Sequence, residues 1–415
     1  MQRPWGCGTI CLAFENREHY DERVGDAKLY RHHVEMQYRE HPELFPLDME
    51  NGFTLHSSRI SVKRKIQIRR IQMKSSGDTY QIRPSFVMPY MVAFTDDVEK
   101  ALFLKRSGVS FEALEYAFGR NHMFWYRAAA AVGRCSVVGT TVKSAADLPE
   151  HLVADEKHTR LKGKKAYVAT TVGAGCILGA EVSMSASETA LTKAYGAFAN
   201  EARDVDPEYA PKTVCLDPWQ AARNAWKKLF PTMAVVLCFL HSVLKLRKCR
   251  DTLKQLRSEL IGRAWHVYKA NTKVQFSQRM RRLREWAITN LPVGALLDAV
   301  YAMSAKSESF KLAYDFDNAH RTTNHVDRLM DHQDRQLYAM RYFHGTVAAA
   351  SLATRSAALL WNFHPYGPRA RPKTKWTSSP FSELNGFSYH DNWLQNLLIA
   401  SSMGGWRRNS PTASS

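Results

Sequence analysis

The sequence predicts an α/β protein: a mixed sheet interrupted by an all-α insertion, preceded by a β-hairpin and a helix-turn-helix-like helical domain. Three observations carry that prediction. Between residues 148 and 239, three short β-branched segments run in succession, followed by helix, strand, helix and strand. From 240 to 316 the apolar spacing stays helical. Ahead of both, near-alternation around residues 60–85 gives way to helical pieces over 96–133.

Composition bounds what such a chain can do. The 415 residues are 45% hydrophobic and 11% aromatic, too apolar for disorder and enough for two or three cores. Lys plus Arg number 58 against 39 Asp plus Glu, a formal charge of +19. That excess points to a polyanionic partner, most commonly nucleic acid. The longest apolar run, Met233 to Leu240, falls well short of the roughly 18 to 20 residues that span a bilayer, so no membrane partner is expected. The N-terminus lacks a charged stretch leading into a continuous apolar one, which predicts a cytoplasmic protein. Seven irregularly spaced cysteines suit a reducing compartment. Cys7 and Cys11 have no nearby Cys or His pair, which argues against zinc there.

Taken in order, residues 1–58 carry little periodic signal and receive no assignment. Residues 59–95 read as a basic β-hairpin: Ile60, Val62, Ile66, Ile68 and Ile71 sit near alternation, and SSGD supplies a turn. The first strand of that hairpin carries Arg59, Lys63, Arg64, Lys65, Arg69 and Arg70 with no acid, as either a charge-defended edge or a phosphate-contacting surface does. Residues 96–147 hold three helical pieces, with Ser110 placed to cap the second and Gly108 and Gly119 placed at stops. A short helix, a tight turn and a second helix make a helix-turn-helix-like DNA-binding unit, or an ordinary three-helix bundle. In the first reading the third piece offers Asn121, His122, Tyr126 and Arg127 to DNA.

Residues 148–239 supply the first part of the core, in the strand and helix order of an RNase H-like sheet. Asp155 is expected at the end of its first strand. Asp217 is expected at the end of the fourth, before Pro218 at a helix N1 position. Alternation sends Asp155 and Glu156 to opposite faces, and Leu152 and Ala154 leave Asp155 as the residue on the site's side. Either acid taken alone also reads as a surface or capping residue. The basic α-helical insertion, 240–316, has 13 Lys or Arg and three acids between Leu240 and Glu285, interleaved with Trp265, Tyr268 and Trp286. Such faces are usually only solvated, yet this one suits a DNA clamp through Lys245, Arg247, Lys248, Arg250, Arg281, Arg282 and Arg284. Residues 317–366 return to the core, where Asn324 and Asp327 head a helix with an apolar stripe from Val326 to Met340. Asp327 reads as a third acid or as half of a capping box, with Asp331 and Glu308 as rivals. Residues 367–415 form a basic linker and a C-terminal helix around Trp393 to Ala400, docking on the core or on a second subunit.

Several stretches together, VADEKHT, VCLDPWQAARNAWKKLFP, CFLH, TTNHVDRLMDHQDR and SAALLWNFHPYG, resemble prokaryotic insertion-sequence transposases of the DDE/D superfamily. The resemblance implies an RNase H-like core in which Asp155, Asp217 and Asp327 are catalytic and hold two Mg²⁺ or Mn²⁺ ions. Many members carry Glu at the third place, so Asp327 is a departure. Cys238 and His241 match the family's C-x2-H signature, read here as packing or a place near the substrate strand more than as a zinc site. The implied substrate is double-stranded DNA, both transposon ends and target, handled on the nucleoid by a homodimer or higher homo-oligomer. Two other functions compete: a non-catalytic DNA-binding derivative, and a structure-specific nuclease on the same core.

Overall fold

The stretch without periodic signal turns out to build part of a sheet. The structure, a computed structural model, describes residues 8–248, 254–367 and 379–406, apart from the side chains of residues 325–328. Strand β1 (Thr9–Leu12) is followed by helices α1 (Arg17–Gly25) and α2 (Ala27–Glu40), then by β2 (Phe53–Ser61), β3 (Ile66–Met73) and β4 (Thr79–Pro84). The four strands order as β1-β4-β3-β2, with β1 parallel to β4 and the remaining pairs antiparallel. Asn16 and Asp26 cap the two helices through their side chains. Tyr20, Val24, Tyr30 and Val34 from these helices share a core with Ile68, Ile71, Met73 and Ile82 of the sheet.

The basic run read as one strand is two. A turn at residues 62–65 joins β2 to β3, with Lys65 at φ 51, while SSGD joins β3 to β4 as expected. Ile60 and Val62 misled the alternation: they are 73% and 84% exposed and mark the turn, not a core face.

Helices α3 (Thr95–Arg106), α4 (Phe111–Phe118) and α5 (His122–Val132) stand where the spacing puts them. The Ser110 hydroxyl accepts from the Ala113 N–H, and Gly119 ends α4 at φ 66. A short α6 (Val137–Thr141) leads into the second sheet.

That sheet is mixed α/β: β5 (His151–Leu161), β6 (Lys164–Gly173), β7 (Cys176–Ser183), α7 (Glu188–Val205), β8 (Thr213–Leu216), α8 (Gln220–Leu229) and β9 (Ala234–Leu237). Its order is β7-β6-β5-β8-β9, antiparallel from β7 to β5 and parallel from β5 to β9. On one face Leu152, Ala154, Val214 and Leu216 meet Tyr195 and Phe198 of α7 and Trp226 of α8. The expected insertion is built, over its described residues, of helices and short turns: α9 (Phe239–Lys248), α10 (Lys254–Tyr268), α11 (Lys273–Asn290), α12 (Ala295–Ser304) and α13 (Ser307–Lys311). Its buried Leu260, Phe276, Leu283 and Val300 continue that same core.

On the other face Val153, Val168, Cys215 and Val236 meet α14 (Asn324–Ala339) and α15 (Val347–Phe363). Two shorter helices, α16 (Pro380–Asn385) and α17 (Trp393–Ala400), close the described chain. The latter docks on the core, burying Leu394, Leu397, Leu398 and Ile399. The basic stretch 368–378 lies outside the described residues. None of the described helices is long and apolar enough to cross a membrane.

Candidate functional site

Alternation along parallel neighbours aligns three polar residues at the edge of the sheet. Val153 of β5 pairs with Cys215 of β8, which pairs with Val236 of β9, and all three belong to the core on the α14 side. Two residues further on, and so on the same face, come Asp155, Asp217 and Cys238. Contrary to the expectation from sequence, Asp155 does not end its strand. It is the fifth of eleven residues, because β5 goes on pairing with β6 as far as Leu161 after β8 has stopped. The Asp155 Oδ1 accepts from the Glu156 N–H at 2.7 Å.

Glu156 points the other way. It is 7% exposed and accepts a hydrogen bond from the Tyr195 hydroxyl at 2.7 Å. Burial first, then the charges of Asp155 and Asp217, push its carboxyl up to about 7.

Asp217 directly follows β8. The sequence also allowed it a capping role, with Pro218 at the first helical position. Instead α8 starts at Gln220, its N-cap is Trp219, and no side chain caps it. The Asp217 carboxylate is thereby free of the helix. Its Oδ1 lies 2.6 Å from Nδ1 of His241, in the first turn of α9, although neither atom makes a well-directed hydrogen bond. Ligand atoms of Asp217, Cys238 and His241 all lie within 4.8 Å of one another. Burial opposes a charged His241 ring, but Asp217 and Cys238 reverse the balance and raise it. Hydrogen bonding from Cys215 foremost, with His241 and Thr323 adding to it, lowers the Cys238 thiol against the opposing effect of burial. Cys238 has no exposed surface, which removes it as a nucleophile toward a bulky substrate.

Helix α14 is anchored over this face by groups distant in sequence. The Thr323 N–H donates to Cys238 Sγ at 3.3 Å, and the Phe239 N–H to the Arg321 carbonyl at 3.0 Å. Further along, Asp334 pairs with Lys157 at 2.5 Å, and Gln333 donates to Thr170, the residue opposite Asp155. Asn324 is the first helical residue and Thr323 the N-cap, with no side-chain cap bond, so the expected capping by Asn324 is not formed. Position 327 falls in the first turn; the Asp327 side chain lies outside the described residues. Of its rivals, Asp331 is exposed on α14, and Glu308 is 87% exposed and pairs with Lys311.

The described residues expected to touch DNA fall on three helices, α5 and, in the insertion, α9 and α11. On α5, Asn121 caps its own helix through Met123, His122 pairs with Glu115 at 2.9 Å, and Arg127 is exposed. In the insertion, Lys245, Arg247 and Lys248 are exposed on α9 and Arg281, Arg282 and Arg284 on α11; Arg250 lies outside the described residues. Trp265, Tyr268 and Trp286 are half-buried, with Arg263 over Trp286 and Arg321 over Tyr268. Sequence reasoning missed Arg223 and Lys306. Lys306 is held down by burial and by its neighbours Lys245 and Arg223, while Asp217 acts in the opposite direction, so these cations lie within electrostatic reach of Asp217. A basic residue one turn into the helix after Asp217 was the only local signal.

The arrangement offers two partly exposed carboxylates on one face, nearby cations, and an imidazole that steadies one of the carboxylates. No protein-family model matches the chain, and no curated protein matches it.

Proposed function

We propose that the chain is a metal-dependent DNA strand-transfer enzyme of the DDE/D transposase kind, acting on double-stranded transposon ends and target DNA. One observation carries the reading: Asp155 and Asp217 follow paired positions on adjacent parallel strands and face the same side. The β7-β6-β5-β8-β9 order supports an RNase H-like assignment of the sheet. As hard oxygen donors, Asp155 and Asp217 suit Mg²⁺ or Mn²⁺, while Cys238 and His241 beside Asp217 add softer sulfur and nitrogen donors.

Asp155 and Asp217, with Asp327 as third ligand, would hold Mg²⁺ or Mn²⁺. When bound, two such ions would activate the attacking oxygen and stabilise the leaving one. The chain's own residues supply the rest. His241 orients Asp217 from its Oδ1 side. Lys306, Lys245 and Arg223 bring positive charge to the DNA backbone beside the carboxylates, and the exposed faces of α9 and α11 extend that charge. On this reading two such chains would act together on two DNA ends, as a homodimer on the nucleoid.

The test uses a supercoiled plasmid carrying the DNA that flanks the chain's own gene. Wild-type protein with Mg²⁺ or Mn²⁺ should nick it, whereas Asp155→Ala and Asp217→Ala should bind it normally and lose at least about a thousandfold in rate, the equivalent of roughly 4 kcal/mol. Nicking by either variant near the wild-type rate refutes the proposal. Tight DNA binding by the wild type with no nicking would favour a non-catalytic DNA-binding role.

A further inference from the structure

A cavity of about 470 Å³ lies on the face of the first sheet remote from α1 and α2, between β3, β4, the turn at Tyr90 and the backbone at Gly404. Its size falls within the range of small-molecule sites. Three arginines line it, Arg64, Arg70 and Arg83, with Gln81 beside them and no acid among the lining residues. Arg83 is 7% exposed. Among the described residues no carboxylate reaches ion-pair distance of any of the three. Two of them are held by neutral carbonyls: Arg64 Nη2 donates to Met88 at 3.2 Å and to Met91, and Arg83 Nη1 donates to Val87.

Carbonyl contacts fix where a guanidinium points without neutralising it. A buried cation normally has a paired anion, because uncompensated charge out of water is costly. Here like charges accumulate instead. Burial, then Arg83 and Arg59, push Arg64 downward. Tyr90 on the rim has the Arg134 guanidinium stacked on its ring at 4.6 Å, adding an aromatic surface beside the charges.

We propose that this cavity binds a phosphate group carried on a nucleotide-sized ligand, with Arg64, Arg70 and Arg83 as its anion-binding residues. Planar guanidinium forks match phosphate oxygens in geometry and charge, and a phosphate supplies the negative charge that the lining lacks. Two sources share this chemistry, a free nucleotide and the 5′-phosphate at the end of a DNA strand. The site is built on the first sheet and does not involve the carboxylates of the second.

Titration calorimetry on the full chain tests it, using AMP, adenosine, and an eight-nucleotide DNA strand with or without a 5′-phosphate. At least one phosphorylated probe should bind saturably, its unphosphorylated counterpart at least about tenfold more weakly. Preference for AMP assigns the free nucleotide; preference for the phosphorylated strand assigns a strand end. Arg83 also fixes the Val87 carbonyl, so its variants mix folding with binding. The half-exposed Arg70 is the deciding position. Arg70→Gln should melt at the wild-type temperature and lose about tenfold or more in affinity for the phosphorylated probe. Equal binding of phosphorylated and unphosphorylated probes, or unchanged affinity in folded Arg70→Gln, overturns the assignment.

Discussion

Asp217 directly follows β8 and caps no helix, which leaves its carboxylate to interact with what lies beside the strand ends. His241 is the nearest such group, 2.6 Å away. A residue that orients a metal-binding carboxylate typically alters ion affinity by ten- to a hundredfold when lost. His241→Gln should therefore raise the Mg²⁺ concentration for half-maximal nicking by about tenfold while DNA binding in a gel-shift assay stays unchanged; an unaltered Mg²⁺ dependence would leave His241 with a packing role only. At this scale the sequence conveyed much. Period-2 alternation separates Asp155 from Glu156, and the structure has them on opposite faces, Asp155 two residues beyond the Val153–Cys215 pair on the side that Asp217 follows, and Glu156 under Tyr195. The contact between His241 and Asp217 was not legible, because they stand 24 positions apart with helix α8 and strand β9 between them. Nor was the true extent of β5, which depends on a hairpin partner rather than on its own residues.

Among the elements, α6 and α7 are joined by one buried carboxylate. Glu201 of α7, 4% exposed, accepts from the Ser136 hydroxyl and from the N–H groups of Val137 and Val138 at the start of α6, and pairs with Arg355 of α15 at 2.5 Å. One side chain thus satisfies a helix start and neutralises a buried guanidinium. Glu201→Gln keeps the shape but strands Arg355 without its countercharge, and urea denaturation should show a loss of about 3 to 5 kcal/mol; a loss below about 1 kcal/mol would mean that water or Glu181, 3.7 Å from Arg355, takes over. Helices α3 to α5 and the strands of the second sheet were readable because each has its own period and stop signals. Of the first sheet only the hairpin of β3 and β4 around SSGD was readable. The edge strand β1 has four residues and pairs with β4, about seventy positions later, so no local pattern announces it.

For the molecule as a whole, burial of histidines sets an acid limit on stability. His33, His332 and His364 are all buried, and burial lowers the first two to about 4 and His364 to about 3. Each folded-state value lies below the unfolded one, near 6.5, so the unfolded chain takes up these protons first. Stability is therefore fully present above about pH 6.5 and falls as pH drops toward 4. For His332, which is 3% exposed and bonded to the Ala357 carbonyl, the loss is on the order of 3 kcal/mol. The melting temperature should decline over that window, and His332→Gln should flatten the decline; an unchanged slope would mean that His332 takes up its proton equally in the folded and unfolded chain and sets no acid limit. By itself the sequence determined the kinds of element, their order along the second half of the chain, the helical insertion and the excess of positive charge, since periodicity and composition are local properties. Only the tertiary structure decided that Asp217 meets His241, that α17 packs on the core, and that three arginines of the first sheet share a cavity. Those depend on strand register and helix packing, which join residues that carry no local signal of one another.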